Sequence, residues 1–360
     1  MDRRSFLRTS ALGGTAAAAT TLAAPAYAQG KRTLTLVTTW GRGLAGVHDA
    51  AQRAADSITA MTDGDLTIDL KAAGELVGAF EVFDAVTSGQ ADMYHGADYY
   101  FVGQHPGFAF FTAVPFGMTA QELTNWYHHA GGHELHDELG QIFGLKSFLA
   151  GNTGAQAGGW YRKEISGPED FNGLKFRMPG LGGKALGKLG ASVQNLPGGE
   201  VYQALASGAL DGTEWIGPWA DEKAGFQEIT KFYYTAGFHE PGAALTLATN
   251  REVFESLSPA HQKVIEIASG ETHQWNLAQF MSNNGEALQR LSSSGVKILE
   301  FPDSVWDAFG AASQEVHDEN MGDELYKKIY DSMQSSMKAS SGWIKRSEGT
   351  YRVQRDRVIG

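Results

Sequence analysis

The sequence predicts an α/β protein with two lobes that face each other across a cleft, a long helix that spans both lobes, and a C-terminal helix. Three observations lead to this prediction. Strand-like and helix-like segments alternate after residue 28, one pattern of twelve residues occurs twice, and a long helical pattern, Pro259–Leu291, follows both copies.

The segments after residue 28 follow the order strand, helix, strand, helix, strand, which is typical of a parallel sheet. Alternation of apolar and polar residues indicates the strands, and amphipathic spacing with a glycine cap indicates the helices. In order, they are the strand Thr33–Thr39, the helix Val47–Met61, the strand Leu66–Lys71, the helix Gly78–Gly89, and the strand Ala91–Tyr94.

The repeated pattern is EVFDAVTSGQAD at Glu81–Asp92 and EVYQALASGALD at Glu200–Asp211, which align without a gap. Chance similarity between two capped helices is one explanation. The other is that each lobe contains the same helix–glycine–strand unit, which is the arrangement of a hinged trap. The strands after the glycines would then bring four residues to the cleft, Tyr99 and Tyr100 from one side and Glu214 and Trp215 from the other.

The rest of the chain supplies the connections between the lobes and the C-terminal helices. The segments are Leu145–Ala150 and Gly158–Arg162 towards the second lobe, Phe232–Ala236 and Ala243–Thr249 towards the first, then the strand Val296–Phe301 and the helical Trp306–Ile344. The predicted bounds are 29–151 for the first part of lobe I, 152–239 for lobe II, 240–258 for the return to lobe I, 259–294 for the spanning helix, and 295–360 for the C-terminal strand and helices.

Composition and charge exclude several kinds of partner. The chain has 360 residues and a net charge of −12. Its first 28 residues carry +2 (Arg3, Arg4 and Arg8 against Asp2), so the remainder carries −14. Nucleic acid and anionic lipid both require basic surface, so neither is expected as a partner. Cysteine is absent, which excludes disulfides and thiolate metal sites.

The N-terminus has the layout of an export signal. Arg3 and Arg4 stand before Ser-Phe-Leu as in a twin-arginine signal, and an Ala-rich run leads to an A-x-A cleavage site that ends at Ala28. The run is too short and too polar to span a bilayer. We therefore expect residues 1–28 to be a signal peptide that is cleaved after Ala28.

Arg177 is the candidate anion-binding residue. It ends a short apolar run just before Pro179 and a glycine cluster, and loops at strand ends commonly carry function. A planar guanidinium fits a carboxylate with two parallel hydrogen bonds. The alternative is a surface salt bridge, and the spacing leaves both open.

Glu214, Glu240 and Gln156 are the candidate cation ligands. Each glutamate follows a strand-like run, and Gln156 lies in a Gly/Ala-rich stretch. Such oxygen ligands suit Ca²⁺, Na⁺ or Mg²⁺ and not Zn²⁺. Two glutamates and a bound acid outweigh one arginine, and an uncompensated negative charge is too costly to bury. We therefore predict a hard cation beside the bound acid.

Three other motifs of known binding or catalytic sites do not match this sequence. In the histidine-rich stretch His128–His136, Asp137 stands where the second histidine of HExxH should be, so we expect an exposed polar helix face. The glycine cluster before Lys184 lacks the Ser or Thr of a phosphate loop, because Ala185 follows. A G-x-S-x-G elbow is missing, so a hydrolase nucleophile has no support.

Several segments together resemble one family. They are the twin-arginine signal, GELVGAFEVFDAVTSGQADM, FLAGNTGAQAGGWYRKE, LKFRMPGLGG, LPGGEVYQALASGALDGTEWIGPW and FYYTAGFHEPG. They resemble the solute-binding subunits of tripartite ATP-independent periplasmic (TRAP) transporters, in the branch that binds 2-oxo monocarboxylates or lactate with a cation. The similarity covers nearly all of the chain after Ala28.

The resemblance implies a periplasmic-binding-protein-like fold that takes up a small monocarboxylate such as pyruvate and delivers it to the TRAP permease subunits. It implies that Arg177 pairs with the substrate carboxylate, aided by Asn152 and by one of Tyr99 and Tyr100, with Trp215 lining the pocket. It implies that the cation, Na⁺ or Ca²⁺, is held by Gln156, Glu214, the Trp215 carbonyl and Glu240. Some related proteins form dimers through a swapped C-terminal helix, and Trp306–Ile344 offers either this homodimer contact or docking on its own chain.

Two other functions use the same parts. A cation, an arginine and a 2-oxo acid also make a metal-dependent lyase or aldolase, but no general base is evident beyond the assigned ligands. A ligand-sensing module for a membrane receptor is the other alternative. We expect a binding protein and not an enzyme.

Overall fold

The computed structural model describes residues 31–360, so the predicted signal peptide lies outside the described residues. The strands are β1 (Arg32–Thr38), β2 (Leu66–Lys71), β3 (Met93–Gly96), β4 (Leu145–Asn152), β5 (Gly159–Tyr161), β6 (Lys175–Arg177), β7 (Ser192–Gln194), β8 (Gly212–Thr213), β9 (Phe232–Tyr234), β10 (Ala244–Asn250) and β11 (Lys297–Leu299). All of them except β6, β7 and β8 overlap a segment that was predicted as a strand or as a connection between the lobes.

The α-helices are α1 (Val47–Met61), α2 (Val82–Thr87), α3 (Ala120–His129), α4 (Gly132–Ile142), α5 (Gly180–Lys188), α6 (Gly198–Ala206), α7 (Pro218–Ala224), α8 (Arg251–Glu255), α9 (Pro259–Ser293), α10 (Asp303–Asn320), α11 (Glu324–Ile344) and α12 (Thr350–Ile359). Short 3₁₀ turns occur at Asp98–Phe101, Pro106–Phe111, Pro168–Phe171 and Phe226–Glu228, and a π-helical turn at Lys345–Gly349 joins α11 to α12. Among the described residues, no helix is both long enough and apolar enough to cross a membrane.

The first sheet has the order β2-β1-β3-β10-β4. Strands β1, β2 and β3 are parallel, as expected. The complete sheet is mixed, however, because β10 lies antiparallel between β3 and β4. This strand enters straight from the second sheet without a crossover helix, so nothing turns it to run parallel with its neighbours.

The second sheet has the order β11-β9-β5-β8-β6-β7. Its β6 runs parallel to β7 and β8, whereas β5 runs antiparallel to β8 and β9. The chain leaves the first sheet after β4 and returns to it at β10. It then crosses a third time, to β11 of the second sheet. Two sheets with helices, joined by three crossings, confirm the predicted two-lobed α/β fold.

The sequence repeat is a structural repeat. Gly89 after α2 and Gly208 after α6 both have left-handed backbone, with φ of 78° and 77°. In the first copy Asp92 Oδ2 accepts a hydrogen bond from the main chain of β1 (2.7 Å), and in the second Asp211 Oδ2 accepts one from the main chain of β6 (3.0 Å). Each unit is therefore tied in the same way to a neighbouring parallel strand, which chance similarity does not explain.

Helix α9 packs on β4 and α1 beside the first sheet and on α7 beside the second, which confirms that it spans both lobes. Its Asn276 is fully buried, donates to the Gly46 carbonyl (2.9 Å) and accepts from the Asn152 amide (3.1 Å). The helix thereby holds β4 at the point where the chain crosses between sheets.

The helical pattern Trp306–Ile344 is two helices, not one. It breaks between α10 and α11, where Asp323 caps α11 by accepting a hydrogen bond from the Tyr326 amide (2.7 Å). Helix α10 packs on α5 of the second lobe, and α11 packs on α3, α4 and Pro106–Phe111 of the first. Both helices therefore dock on their own chain. Helix α12 buries no residue.

Candidate functional site

Arg177 is the last residue of β6, and its side chain is 0% exposed, so the alternative of a surface salt bridge is wrong. Its guanidinium forms a direct ion pair with Glu214, donates through Nε to the Leu196 carbonyl (3.1 Å), and lies 5.4 Å from the centre of the Trp215 ring. Burial lowers the pKa of Arg177, but the Glu214 carboxylate and the Tyr100 and Tyr99 hydroxyls together outweigh burial and raise this pKa above its usual value.

Glu214 follows β8 directly, and Glu240 lies in the loop between β9 and β10. Both side chains are buried, and their Oε2 atoms lack a hydrogen-bond donor among residues 31–360. The Oε1 atom of the buried Gln156 lacks a donor as well. Burial, and after it the Glu214 charge, raise the pKa of Glu240 well above its usual value.

Main-chain hydrogen bonds hold these residues in one frame. The Gln156 amide donates to the Glu240 carbonyl (2.9 Å), and the Glu214 amide donates to the Arg177 carbonyl (3.2 Å). The Ala157 amide donates to the Ile216 carbonyl (2.9 Å), which joins the Gln156 and Glu214 segments. Residues from four separate stretches of the chain therefore converge at one place between the two sheets.

The donor set fits a hard cation. Three buried oxygens without donors, Glu214 Oε2, Glu240 Oε2 and Gln156 Oε1, are each expensive to bury unsatisfied, and a cation would satisfy them together. All three are carboxylate or amide oxygens, which bind Na⁺ or Ca²⁺ in preference to softer metals.

A cavity of about 10 Å³ lies beside this frame, so a ligand larger than one water must displace its walls. Both Tyr99 and Tyr100 line it, and the Tyr100 hydroxyl accepts a long hydrogen bond from Arg177 Nη2 (3.4 Å). Burial, followed by the Glu240 charge, raises the pKa of Tyr99. The lining consists of Trp40, Val47, Ala97, Tyr99, Tyr100, Thr112, Thr153, Gln156, Trp215, Ile216, Ala243 and Leu245.

Asn152 ends β4, and its side chain is fully buried. Its Oδ1 accepts from the Gly154 amide (2.7 Å), while Nδ2 has no acceptor among residues 31–360. Asn152 does not belong to the cavity lining. The free Nδ2 donor is what its predicted role requires.

His239 is a site residue that the sequence analysis missed. Its ring is 2% exposed, its Nε2 lies 3.4 Å from Glu214 Oε2, and neither ring nitrogen has a hydrogen-bond partner among residues 31–360. His239, Glu214 and Glu240 can bring their ligand atoms within 4.8 Å of one another. The available signal was its position, directly before Glu240 in a turn of sequence His-Glu-Pro-Gly.

The histidine-rich stretch is not one exposed helix face. A left-handed Gly131 separates α3 from α4, so His129 and His133 lie on different helices. His136 is fully buried and contacts the Asp98 carboxylate at 2.9 Å, so for this residue the expectation of exposure is wrong. The aromatic rings of Phe111 and Tyr127 pack on its ring and exclude water, and the Tyr127 hydroxyl contacts His136 Nδ1 (3.3 Å).

Two α/β lobes that enclose a buried arginine and a set of cation-binding oxygens define a solute-binding protein of the two-lobed, ligand-trapping class. The profile of the DctP family, the bacterial extracellular solute-binding proteins of family 7, matches residues 40–324, and the chain belongs to this family. Membership confirms the predicted TRAP solute-binding class and the expectation that the protein is not an enzyme.

A relative and two solved structures are similar over most of the chain. The monocarboxylate 2-oxoacid-binding periplasmic protein of Nostoc sp. is 38% identical over 88% of this chain and 87% of its own. A TRAP solute-binding protein of Pseudoalteromonas atlantica with bound sodium and pyruvate is 39% identical, with a TM-score of 0.86 over 89% of this chain and 98% of its own. One from Bordetella bronchiseptica, a mixed-occupancy dimer with copurified calcium and picolinate, is 33% identical, with a TM-score of 0.90 over 92% of this chain and 98% of its own.

Proposed function

We propose that this protein captures a small 2-oxo or 2-hydroxy monocarboxylate such as pyruvate, together with Na⁺ or Ca²⁺, and delivers it to a TRAP permease. One observation carries the proposal: three buried oxygens without hydrogen-bond donors lie beside a buried guanidinium. The relatives with bound sodium and pyruvate, or calcium and picolinate, support it.

In this proposal Arg177 binds the acid's carboxylate. Its recorded contacts use only part of its N–H donors, so the guanidinium retains capacity for an incoming anion. The Tyr99 and Tyr100 hydroxyls and the Asn152 amide are additional donors. The Trp215 ring stacks near the guanidinium and keeps water away from it.

Gln156, Glu214, the Trp215 carbonyl and Glu240 would hold the cation, which would supply positive charge next to the acid. Pyruvate has an oxo oxygen and picolinate a ring nitrogen on the carbon next to the carboxylate. Both molecules can therefore bind one cation through two atoms at once. This shared feature supports a preference for acids with a donor atom at the 2-position.

Calorimetry on metal-free protein would test the proposal. Pyruvate and propionate have the same chain length and differ in the oxo oxygen, so they form a matched pair. We expect pyruvate to bind when Na⁺ or Ca²⁺ is added. Without either cation, after chelation and desalting, its affinity should be at least about tenfold lower. Propionate should bind weakly with or without the cation. Equal affinities for the two acids would exclude the cation bridge. Trials of C2–C6 acids and of picolinate in each cation would define the preferred ligand.

Family membership places the protein in the periplasm, and we further propose that the twin-arginine signal exports it with cleavage after Ala28. Cells that lack the twin-arginine translocase should then retain the full-length precursor in the cytoplasm. Arg3→Lys with Arg4→Lys should block export, which cell fractionation and N-terminal sequencing would measure.

We propose that the two lobes have the bounds predicted from the sequence. We also propose that the C-terminal helices mediate a homodimer. Exposed apolar side chains support the dimer, since Trp343 is 74% and Ile359 77% exposed in the monomer. Replacing both by Glu should convert a dimer to a monomer in analytical ultracentrifugation. A monomeric wild type would exclude this contact.

A further inference from the structure

We infer that Asp221 is a positioning residue that directs the main-chain carbonyl of Trp215 towards the cation site. The inference rests on the proposed function, because it concerns a carbonyl that is assigned there as a cation ligand. It gives a role to a buried carboxyl that lies outside the predicted ligand set.

Asp221 lies within α7 and is fully buried. Its Oδ1 accepts hydrogen bonds from the main-chain amides of Ile216 and Gly217, both at 3.0 Å. Its Oδ2 accepts one from Trp160 Nε1, also at 3.0 Å. The carboxyl therefore reaches back out of its own helix and holds two consecutive peptide groups that follow Trp215.

The first of these peptide groups contains the Trp215 carbonyl. In a trans peptide the C=O and the N–H lie in one plane and point in opposite directions, and no cis peptide bond occurs among residues 31–360. Since the Ile216 N–H points at Asp221, the Trp215 C=O points away from Asp221. None of the hydrogen bonds among residues 31–360 ends at this carbonyl oxygen, and Trp215 lines the cavity.

The surrounding contacts prevent this segment from relaxing. The Ile216 carbonyl accepts from the Ala157 amide (2.9 Å), next to the ligand candidate Gln156. The Trp219 amide donates to Asn284 Oδ1 of the long helix α9 (3.1 Å). The hydrogen bond to Asp221 determines which way the Trp215–Ile216 peptide group faces. The other two contacts fix the residues that follow it in the chain.

Asp170 provides a matched control in the same lobe. Its Oδ2 accepts from the amides of Ser166 (2.8 Å) and Gly167 (3.3 Å), again two consecutive peptide groups before a proline. Neither of these groups lines the cavity. Its Oδ1 also accepts from Lys163 Nζ (3.2 Å). A carboxylate that ties down a turn away from the cavity is thus available for comparison.

The test compares Asp221→Asn with Asp170→Asn. The Asn side chain has one acceptor oxygen, and its NH₂ group can only donate. It therefore cannot accept hydrogen bonds on both sides, and it loses the contact either to Trp160 Nε1 or to the two peptide N–H groups. We expect the Kd for Ca²⁺ to rise by about tenfold to a hundredfold, the range for residues that orient metal ligands. The Kd for pyruvate at saturating Ca²⁺ should change by less than about threefold, because Arg177 and the cation are retained. Asp170→Asn should lower the Tm and leave both constants unchanged.

A folded Asp221→Asn protein with the wild-type Kd for Ca²⁺ would overturn the inference while leaving the proposed function intact. Wild-type protein that binds neither Ca²⁺ nor Na⁺ would overturn the proposed function and the inference with it. If the Asn variant does not fold, Asp221→Glu keeps the charge and both acceptor oxygens but displaces them. Its Ca²⁺ affinity should also fall, and an unchanged value would count against the inference in the same way.

Discussion

Arg177 and Glu214 form a fully buried ion pair at the ends of two neighbouring parallel strands, β6 and β8. The pair joins the predicted anion-binding residue to a predicted cation ligand, so the two halves of the site share one carboxylate. Only Glu214 Oε1 contacts the guanidinium, and Oε2 is left without a donor among residues 31–360. A single glutamate can therefore hold the arginine and a cation at the same time.

Arg177→Lys should weaken pyruvate binding while keeping a positive charge at the site. An ammonium cannot form the two parallel hydrogen bonds that a guanidinium makes with a carboxylate. We expect a loss of at least about tenfold in affinity by calorimetry, since a hydrogen bond to a charged group contributes about 1.5 to 3 kcal/mol. Arg162→Lys is the matched control, because Arg162 binds only main-chain carbonyls elsewhere in the second lobe. Wild-type affinity in the Arg177 variant would exclude its assignment.

Glu240→Gln should separate cation binding from stability. Burial, with the Glu214 charge as a second cause, raises the pKa of Glu240, so its ionised form is disfavoured in cation-free protein. The neutral amide should leave the cation-free Tm unchanged or higher, yet weaken Ca²⁺ binding by at least about tenfold. The exposed Glu164→Gln serves as the control for both measurements. A Glu240 variant with unaltered Ca²⁺ affinity would remove this residue from the ligand set.

His239→Asn should change which metals the site accepts. The imidazole places a nitrogen 3.4 Å from Glu214 Oε2, and nitrogen ligands favour Zn²⁺ over Ca²⁺. We expect the variant to lose about tenfold in Zn²⁺ affinity and less than about threefold in Ca²⁺ affinity, measured by competition with a metal-sensitive dye. The exposed His128→Asn is the control. Equal losses for both metals would show that His239 acts only by packing.

His95→Gln should alter the pH dependence of stability. Burial lowers the pKa of His95 to about 4, while its ring accepts from Trp40 Nε1 (2.9 Å) and contacts the Ala150 carbonyl (2.9 Å). Because this pKa lies below that of the unfolded chain, the neutral ring's contribution is fully present above about pH 6.5 and is lost as the pH falls through about 4.

The stability deficit of His95→Gln should therefore be largest near pH 7 and shrink towards pH 4, by up to about 3 kcal/mol for a shift of this size. Urea unfolding at several pH values would measure it. The exposed His129→Gln should show no such trend. A deficit that stays constant with pH would mean that His95 titrates alike in the folded and unfolded chain.

Local features of the sequence determined much of the fold. The repeated unit was visible because its two signals are local. A glycine in left-handed conformation ends the helix, and an aspartate follows within a few residues. Arg177, Glu214 and Glu240 could be selected as candidates because polar residues that end or follow strand-like runs, beside turn residues, are a local signal. The long helix α9 was predicted from its extended helical pattern, which is visible without knowing what it packs against.

The tertiary structure alone decided how these parts meet. The insertion of β10 between β3 and β4, the contact of His239 with Glu214 and the burial of His136 all join residues far apart in sequence. The same holds for Asp221 in helix α7, because its carboxyl is held both by the peptide groups after Trp215 and by Trp160 of strand β5. The type and spacing of side chains indicate what a residue can bind. Packing between distant segments determines which partner it contacts and how far it is shielded from water.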